Sequence, residues 1–152
     1  MAYKYQIGDF MCKKIAVFLS IFLLSISNIY AINVTLEIND VRIDGGLLYV
    51  AIYSNEDDFR NGNSTMHFIL APISNTVIHN IELPAGEYVV SIFQDTNSNG
   101  RLDTGIFGIP REPVGITNYS GNGRPGGFQE LKVPVNNNAR RIIVNMANVR
   151  LR

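Results

Sequence analysis

Hydrophobic and polar residues alternate along much of the chain, with the two-residue period of a strand that buries one face. The run Val34-Thr-Leu-Glu-Ile38 alternates strictly, whereas the segment 47–53 is apolar on both faces, which is typical of a more fully covered strand. Four further segments have strand patterns: 66–71, 77–83, 87–93 and 141–147. No segment shows a convincing helical period over about 11 residues.

The spacing of these strands predicts a single all-β domain. Glycine, proline and asparagine separate the strands at short intervals, as they do in antiparallel sandwiches. The polar segment 55–64 contains Gly62, and we expect it to form a loop or one irregular helical turn. We therefore predict an antiparallel Ig-like or transthyretin-like β-sandwich of about seven strands, with residues 32–152 forming one domain.

Residues 1–31 have the pattern of a secretory signal peptide. A pair of lysines precedes an uncharged apolar run at 15–26, and small and polar residues follow it. The run is shorter than the roughly 20 residues that a spanning helix needs, although an uncleaved membrane anchor is the alternative. We expect cleavage after Ala31, with Ser27 as the second choice, and Met11 is a possible true start of translation.

Composition narrows the classes of protein to consider. The chain has 13 basic and 13 acidic residues, so its formal net charge is zero, which argues against a nucleic-acid partner. The single cysteine, Cys12, lies before the apolar run, so the chain is neither a disulfide scaffold nor a lipoprotein anchored at its cleavage site. We expect a bacterial protein that is secreted or held in the periplasm or cell envelope, with no membrane span after signal cleavage.

The sharpest chemical feature is the segment Asp95-Thr-Asn-Ser-Asn-Gly-Arg-Leu-Asp103. Oxygen-bearing side chains occur at its positions 1, 3, 5 and 9, with glycine at position 6, as in the first part of an EF-hand calcium loop. Alternate residues of a tight turn aim their side chains at one point, and the backbone carbonyl of Arg101 matches position 7 of that loop. The spacing predicts a calcium site formed by Asp95, Asn97, Asn99, Arg101 and Asp103.

The match to an EF-hand is incomplete. Position 12 is Ile106 instead of the bidentate glutamate, and the segment before the loop is a strand instead of a helix. Two carboxylates suggest weak binding, with Kd about 10⁻⁴–10⁻³ M. The alternative is an asparagine-rich turn whose amides bind their own backbone without a metal.

A long connection follows this loop. Residues 106–128 are rich in glycine and proline, so we expect an irregular segment that runs over the surface. Connections of this length often carry function. Glu112 lies between two prolines and could reach the metal, as could Asp57 or Asp58, whereas the alternative is a purely structural loop.

Three motifs together resemble the DUF2141 family. They are Gly86-Glu-Tyr-Val-Val-Ser-Ile-Phe-Gln-Asp95, the Asp95–Asp103 loop and Phe107-Gly-Ile-Pro-x-Glu-Pro-x-Gly-x-x-Asn118. Members of this family are small exported bacterial proteins of uncharacterised function. The resemblance implies a β-sandwich and a location in the cell envelope, and it supplies no catalytic residues.

We expect a non-enzymatic interaction module, in which calcium at the loop orders residues 106–128 against a protein or glycan of the cell envelope. Two alternatives are a metal-assisted hydrolase and a purely structural envelope protein. The hydrolase would use Glu112, Asp103 or a histidine, but the sequence has no nucleophile motif such as Gly-x-Ser-x-Gly.

Overall fold

The computed structural model describes residues 30–149. In its strands, the residues that alternate between apolar and polar in the sequence alternate between buried and more exposed positions. In β1 (Ala31–Asn39), Val34, Leu36 and Ile38 are fully buried while the residues between them are exposed or half-buried. The same pattern places Ile142 and Val144 inside at β8 (Arg141–Asn145). The other strands are β2 (Leu47–Tyr53), β3 (Met66–Leu70), β4 (Val77–Pro84), β5 (Gly86–Asp95), β6 (Val114–Ile116) and β7 (Val133–Val135).

The described strands form two sheets that enclose one main core. The smaller sheet has the order β4-β1-β8, and the larger has the order β3-β2-β5-β6, with β7 paired to β5. Five of the six strand pairings in this part of the chain are antiparallel, and β1 pairs with β8 in parallel. The prediction of an all-β sandwich is confirmed, with eight strands in the described residues where about seven were expected.

The main core lies between the inner faces of the two sheets. Its largest fully buried apolar side chains include Leu36, Ile38, Leu48, Ile52, Leu83, Ile92 and Ile142. Fully burying an aliphatic side chain of this kind contributes about 1.5–3 kcal/mol to folding. These residues hold β5 in the centre of the larger sheet, and β5 carries the Asp95 loop at its end.

Among residues 30–149, two short helices cover part of the outer face of the larger sheet. Helix α1 (Glu56–Asn61) begins at Asn55, whose side chain accepts the N–H of Asp58, and ends at Gly62 in the left-handed conformation. Helix α2 (Phe128–Leu131) places Phe128 against Phe59 of α1 and Val89 of β5. The polar segment 55–64 is therefore the single helical turn that the sequence allowed.

The connection 106–128 is more ordered than predicted. It contains a 3₁₀ turn at Ile106–Gly108 and strand β6, which pairs with β5. Glu112, Pro113 and Gly115 are buried. The expectation of an irregular segment running over the surface is wrong for residues 112–117, because β6 completes the edge of the larger sheet there.

Residues 1–29 of the predicted signal peptide lie outside the described residues, and its prediction stays as stated. Strand β1 begins at Ala31, where the cleavage site is expected, and Ala31 pairs with Pro84. Within residues 30–149, no helix has both the length and the apolar character that crossing a bilayer requires.

Candidate metal centre

Asp95 is the last residue of strand β5 and the first residue of the loop. The side chain of Asp95 is 2% exposed, and its two carboxylate oxygens accept the backbone N–H groups of Asn99 (3.1 Å) and Gly100 (2.8 Å). Gly100 has φ +77°, a conformation that glycine adopts without steric cost. The buried carboxylate therefore fixes the reversal of the chain that the sequence predicted at Gly100.

The two asparagines fix the rest of the turn. The Oδ1 atom of Asn97 accepts the N–H of Asn99 (3.2 Å), and the Oδ1 atom of Asn99 accepts the N–H of Arg101 (2.9 Å). Between them, Ser98 has φ +59°. These side-chain-to-backbone bonds are the local Asx turns that asparagine favours.

Three of the predicted side chains meet at one atom. The Nδ2 groups of Asn97 and Asn99 donate to Asp103 Oδ2 at 2.6 and 2.9 Å, and the side chain of Arg101 lies 3.6 Å from Asp103 Oδ1. Asp95 instead faces the backbone of the turn. The structure thus brings together the side chains of Asn97, Asn99 and Asp103, and it directs the carboxylate of Asp95 to the backbone of the turn.

Glu112 links the two ends of the loop through hydrogen bonds. Its Oε1 atom accepts the N–H (2.7 Å) and hydroxyl (3.1 Å) of Thr96, and its Oε2 atom accepts the N–H of Asp103 (3.1 Å). The side chain is 2% exposed. We expected that Glu112 could reach a metal. In the structure, its two carboxylate oxygens instead accept hydrogen bonds from Thr96 and Asp103 at the two ends of the loop.

Gln94 precedes Asp95 on β5 and binds the connection between β1 and β2 through hydrogen bonds. Its Nε2 group donates to the carbonyls of Arg42 (2.6 Å) and Gly46 (3.2 Å), and its Oε1 atom accepts the N–H of Arg42 (3.2 Å). Gln94 is fully buried. The period of β5 could have revealed it, since Gln94 is in phase with the inward-facing Val90 and Ile92, where a polar residue needs bonded partners.

An aromatic pair lies beside the loop on the outer face of the larger sheet. Tyr49 and Phe93 are directly opposite each other on β2 and β5, and their rings stack with centroids 4.8 Å apart. A Cβ atom at Gly100 would lie 3.6 Å from the hydroxyl of Tyr49. The loop therefore packs close to the tyrosine end of this pair.

The donor atoms of the loop are those that hard cations prefer. Carboxylate and amide oxygens suit calcium, and an amide oxygen has two lone pairs, so it can accept a backbone N–H and contact a cation at once. Within residues 30–149, no group of three or more His, Cys, Asp or Glu side chains is placed to hold a metal. The loop supplies two carboxylates and two amides, and a cation beside Asp103 Oδ2 would replace the two amide N–H donors there.

The fold and this loop define a small β-sandwich with a structured Asp/Asn loop at the end of its central strand. Residues 36–143 match the DUF2141 family, described as an uncharacterised protein conserved in bacteria, and the chain belongs to this family. The resemblance seen in the sequence is confirmed. Comparison with curated proteins and with solved structures gave no match.

Proposed function

We propose that this protein is an exported, non-enzymatic interaction module whose Asp95–Asp103 loop binds calcium. The observation that carries the proposal is the meeting of Asn97, Asn99 and Asp103 at one carboxylate oxygen. Calcium takes 6–8 oxygen ligands. Asp103 would supply one or two of them, the amide oxygens of Asn97 and Asn99 could add two once their Nδ2 groups leave Asp103, and backbone carbonyls and water would supply the rest. With so few charges, we expect Kd about 10⁻⁴–10⁻³ M, the range of extracellular modules.

The loop is connected to the segment that we propose as the binding surface. The carbonyl of Asp103 accepts the N–H of Arg111 (2.9 Å), and the N–H of Gly105 donates to the carbonyl of Ile109 (2.7 Å). Asp103 is also bound to Glu112 through its N–H. A cation that fixes Asp103 therefore restrains both ends of the 104–111 excursion, which we propose faces a protein or glycan of the cell envelope.

We propose no catalytic role for the site. Glu112, the strongest candidate for a general base, is buried and accepts three hydrogen bonds from Thr96 and Asp103. A general base must reach the proton that it removes, and these bonds direct both oxygens of Glu112 into the loop. An envelope protein without a ligand is the outcome to which a failed calcium test would point.

Calcium is expected to raise the melting temperature of the protein. With Kd about 0.1 mM, calcium at about 1 mM stabilises the folded state by about 1.4 kcal/mol. For a domain of this size the melting temperature should rise by about 5 °C. Differential scanning fluorimetry against a chelator-treated sample measures the shift.

The double variant Asp95→Ala/Asp103→Ala should lose this shift while its β-sheet circular dichroism persists. Because Asp95 also holds the turn, the single variant Asp103→Asn separates metal binding from folding, since it keeps the volume and removes one charge. Glu82→Ala/Glu130→Ala is the matched control, because it removes two exposed carboxylates outside the loop. An equal calcium shift in all three variants would exclude the loop as the site.

A further inference from the structure

The chain contains three Asn-Gly pairs in different surroundings: Asn61–Gly62, Asn99–Gly100 and Asn122–Gly123. The asparagine of such a pair deamidates spontaneously in water. The backbone nitrogen of glycine loses its proton and attacks Cγ of asparagine, the Cγ–Nδ2 bond breaks, and ammonia leaves. Water then opens the resulting succinimide to aspartate or isoaspartate. The reaction needs a free glycine nitrogen and a mobile asparagine side chain.

The Asn99–Gly100 pair meets neither requirement. The N–H of Gly100 is held by Asp95 Oδ2 at 2.8 Å, and a carboxylate beside that nitrogen opposes its deprotonation. The side chain of Asn99 is fixed at both ends, since its Nδ2 donates to Asp103 and its Oδ1 accepts from Arg101. Asn99 is exposed to solvent, so these bonds, and not burial, are what protect it.

The Asn122–Gly123 pair has the opposite surroundings. Asn122 is exposed, and its side chain makes one long contact, from Nδ2 to Ser120 Oγ at 3.5 Å. Asn122 forms an isolated β-bridge, and among residues 30–149 no acceptor binds the N–H of Gly123. Asn61–Gly62 is intermediate, because the N–H of Gly62 donates to carbonyls at the end of α1.

We infer that Asn122 is a site of spontaneous deamidation and that the Asp95 carboxylate protects Asn99 from the same reaction. The inference does not depend on calcium binding. Conversion of Asn99 would place a third carboxylate in the loop and change its charge, so this protection preserves the composition of the loop as the protein ages. Among the described residues, no carboxylate binds the glycine nitrogen that follows Asn122.

The test is peptide mass spectrometry of the folded protein during incubation at mildly alkaline pH with a chelator present. We expect Asn122 to convert at least about tenfold faster than Asn99, since breaking a hydrogen bond to a charged group slows the reaction by that factor or more. In concentrated urea the three pairs should convert at similar rates, because each has the same leaving amide and the same nucleophile. This unfolded sample calibrates the comparison.

The variant Asp95→Asn should accelerate conversion of Asn99 toward the rate in urea and leave that of Asn122 unchanged. Asp103→Ala frees the Nδ2 group of Asn99 but not the nitrogen of Gly100, so it should accelerate Asn99 less. Equal rates at Asn99 and Asn122 in the folded wild-type protein would overturn the inference, and this result needs no variant to fold. An Asn99 rate unchanged in folded Asp95→Asn would overturn the role given to Asp95.

Discussion

Replacing Gly46 with alanine is expected to lower the free energy of unfolding by about 2–5 kcal/mol. Gly46 has φ +85°, and a Cβ atom there would lie 1.8 Å from the carbonyl oxygen of Asp95. The left-handed conformation alone costs about 1–2 kcal/mol for a residue with a side chain, and forced overpacking adds about 1–3 kcal/mol. The obstacle is backbone, which cannot rotate aside as a side chain would, so the β1–β2 connection must separate from the base of the loop.

Gly62→Ala is the matched control for this prediction. Gly62 also has a positive φ of +74°, but an added Cβ would meet no atom within 4 Å. Its substitution should therefore cost only the conformational term, about 1–2 kcal/mol. Urea denaturation of the two variants measures the difference, and equal losses would show that the contact between Gly46 and Asp95 is not tight.

Removing the carboxylate of Glu112 is expected to destabilise the protein by about 3–5 kcal/mol. Glu112→Ala removes the carboxylate that accepts hydrogen bonds from the N–H and hydroxyl of Thr96 and the N–H of Asp103, and hydrogen bonds to a charged group contribute about 1.5–3 kcal/mol each. Glu112→Gln keeps one acceptor oxygen but turns an amide N–H₂ toward one of these donors. Its loss should be smaller, about 1–3 kcal/mol. Thermal unfolding in the presence of a chelator measures both variants.

The chelator distinguishes the two possible roles of Glu112. A carboxylate that only binds calcium would stabilise the protein only when calcium is present, whereas one that joins the loop ends stabilises it in either condition. Glu82→Ala, at an exposed position of β4, provides the reference and should change stability by no more than about 0.5 kcal/mol. A Glu112→Ala loss no greater than that of Glu82→Ala in chelator would contradict the structural role.

The long strands were predictable because hydrophobic periodicity decides them. β2 has the predicted bounds, and β4 and β5 extend the predicted ones by one to three residues. β6 and β7 were missed, since each has three residues and a proline within or beside it, so neither provides two full periods of alternation. Their pairing with β5 depends on contacts across the sheet instead of on local pattern.

At the candidate site, too, the local contacts could be predicted from the sequence and the long-range contacts could not. The spacing of Asp95, Asn97 and Asn99 around Gly100 predicted the turn, because its hydrogen bonds are local. The partner of Glu112 could not be predicted, since its bonds to Thr96 and Asp103 span 16 and 9 residues and depend on β6 lying beside β5. Glu112 also lies between prolines, a context that says nothing about the direction of its side chain.

The most direct test of calcium binding is an NMR titration that follows the side-chain amide resonances of Asn97 and Asn99. Both groups now donate to Asp103 Oδ2, so a cation at that oxygen must displace them and move their resonances together with the backbone signals of Gly100 and Asp103. We expect these shifts to saturate at millimolar calcium, in the range of about 10⁻⁴–10⁻³ M, and to be absent with sodium at matched ionic strength. Unmoved resonances for both asparagine side chains at about 10 mM calcium would contradict the account.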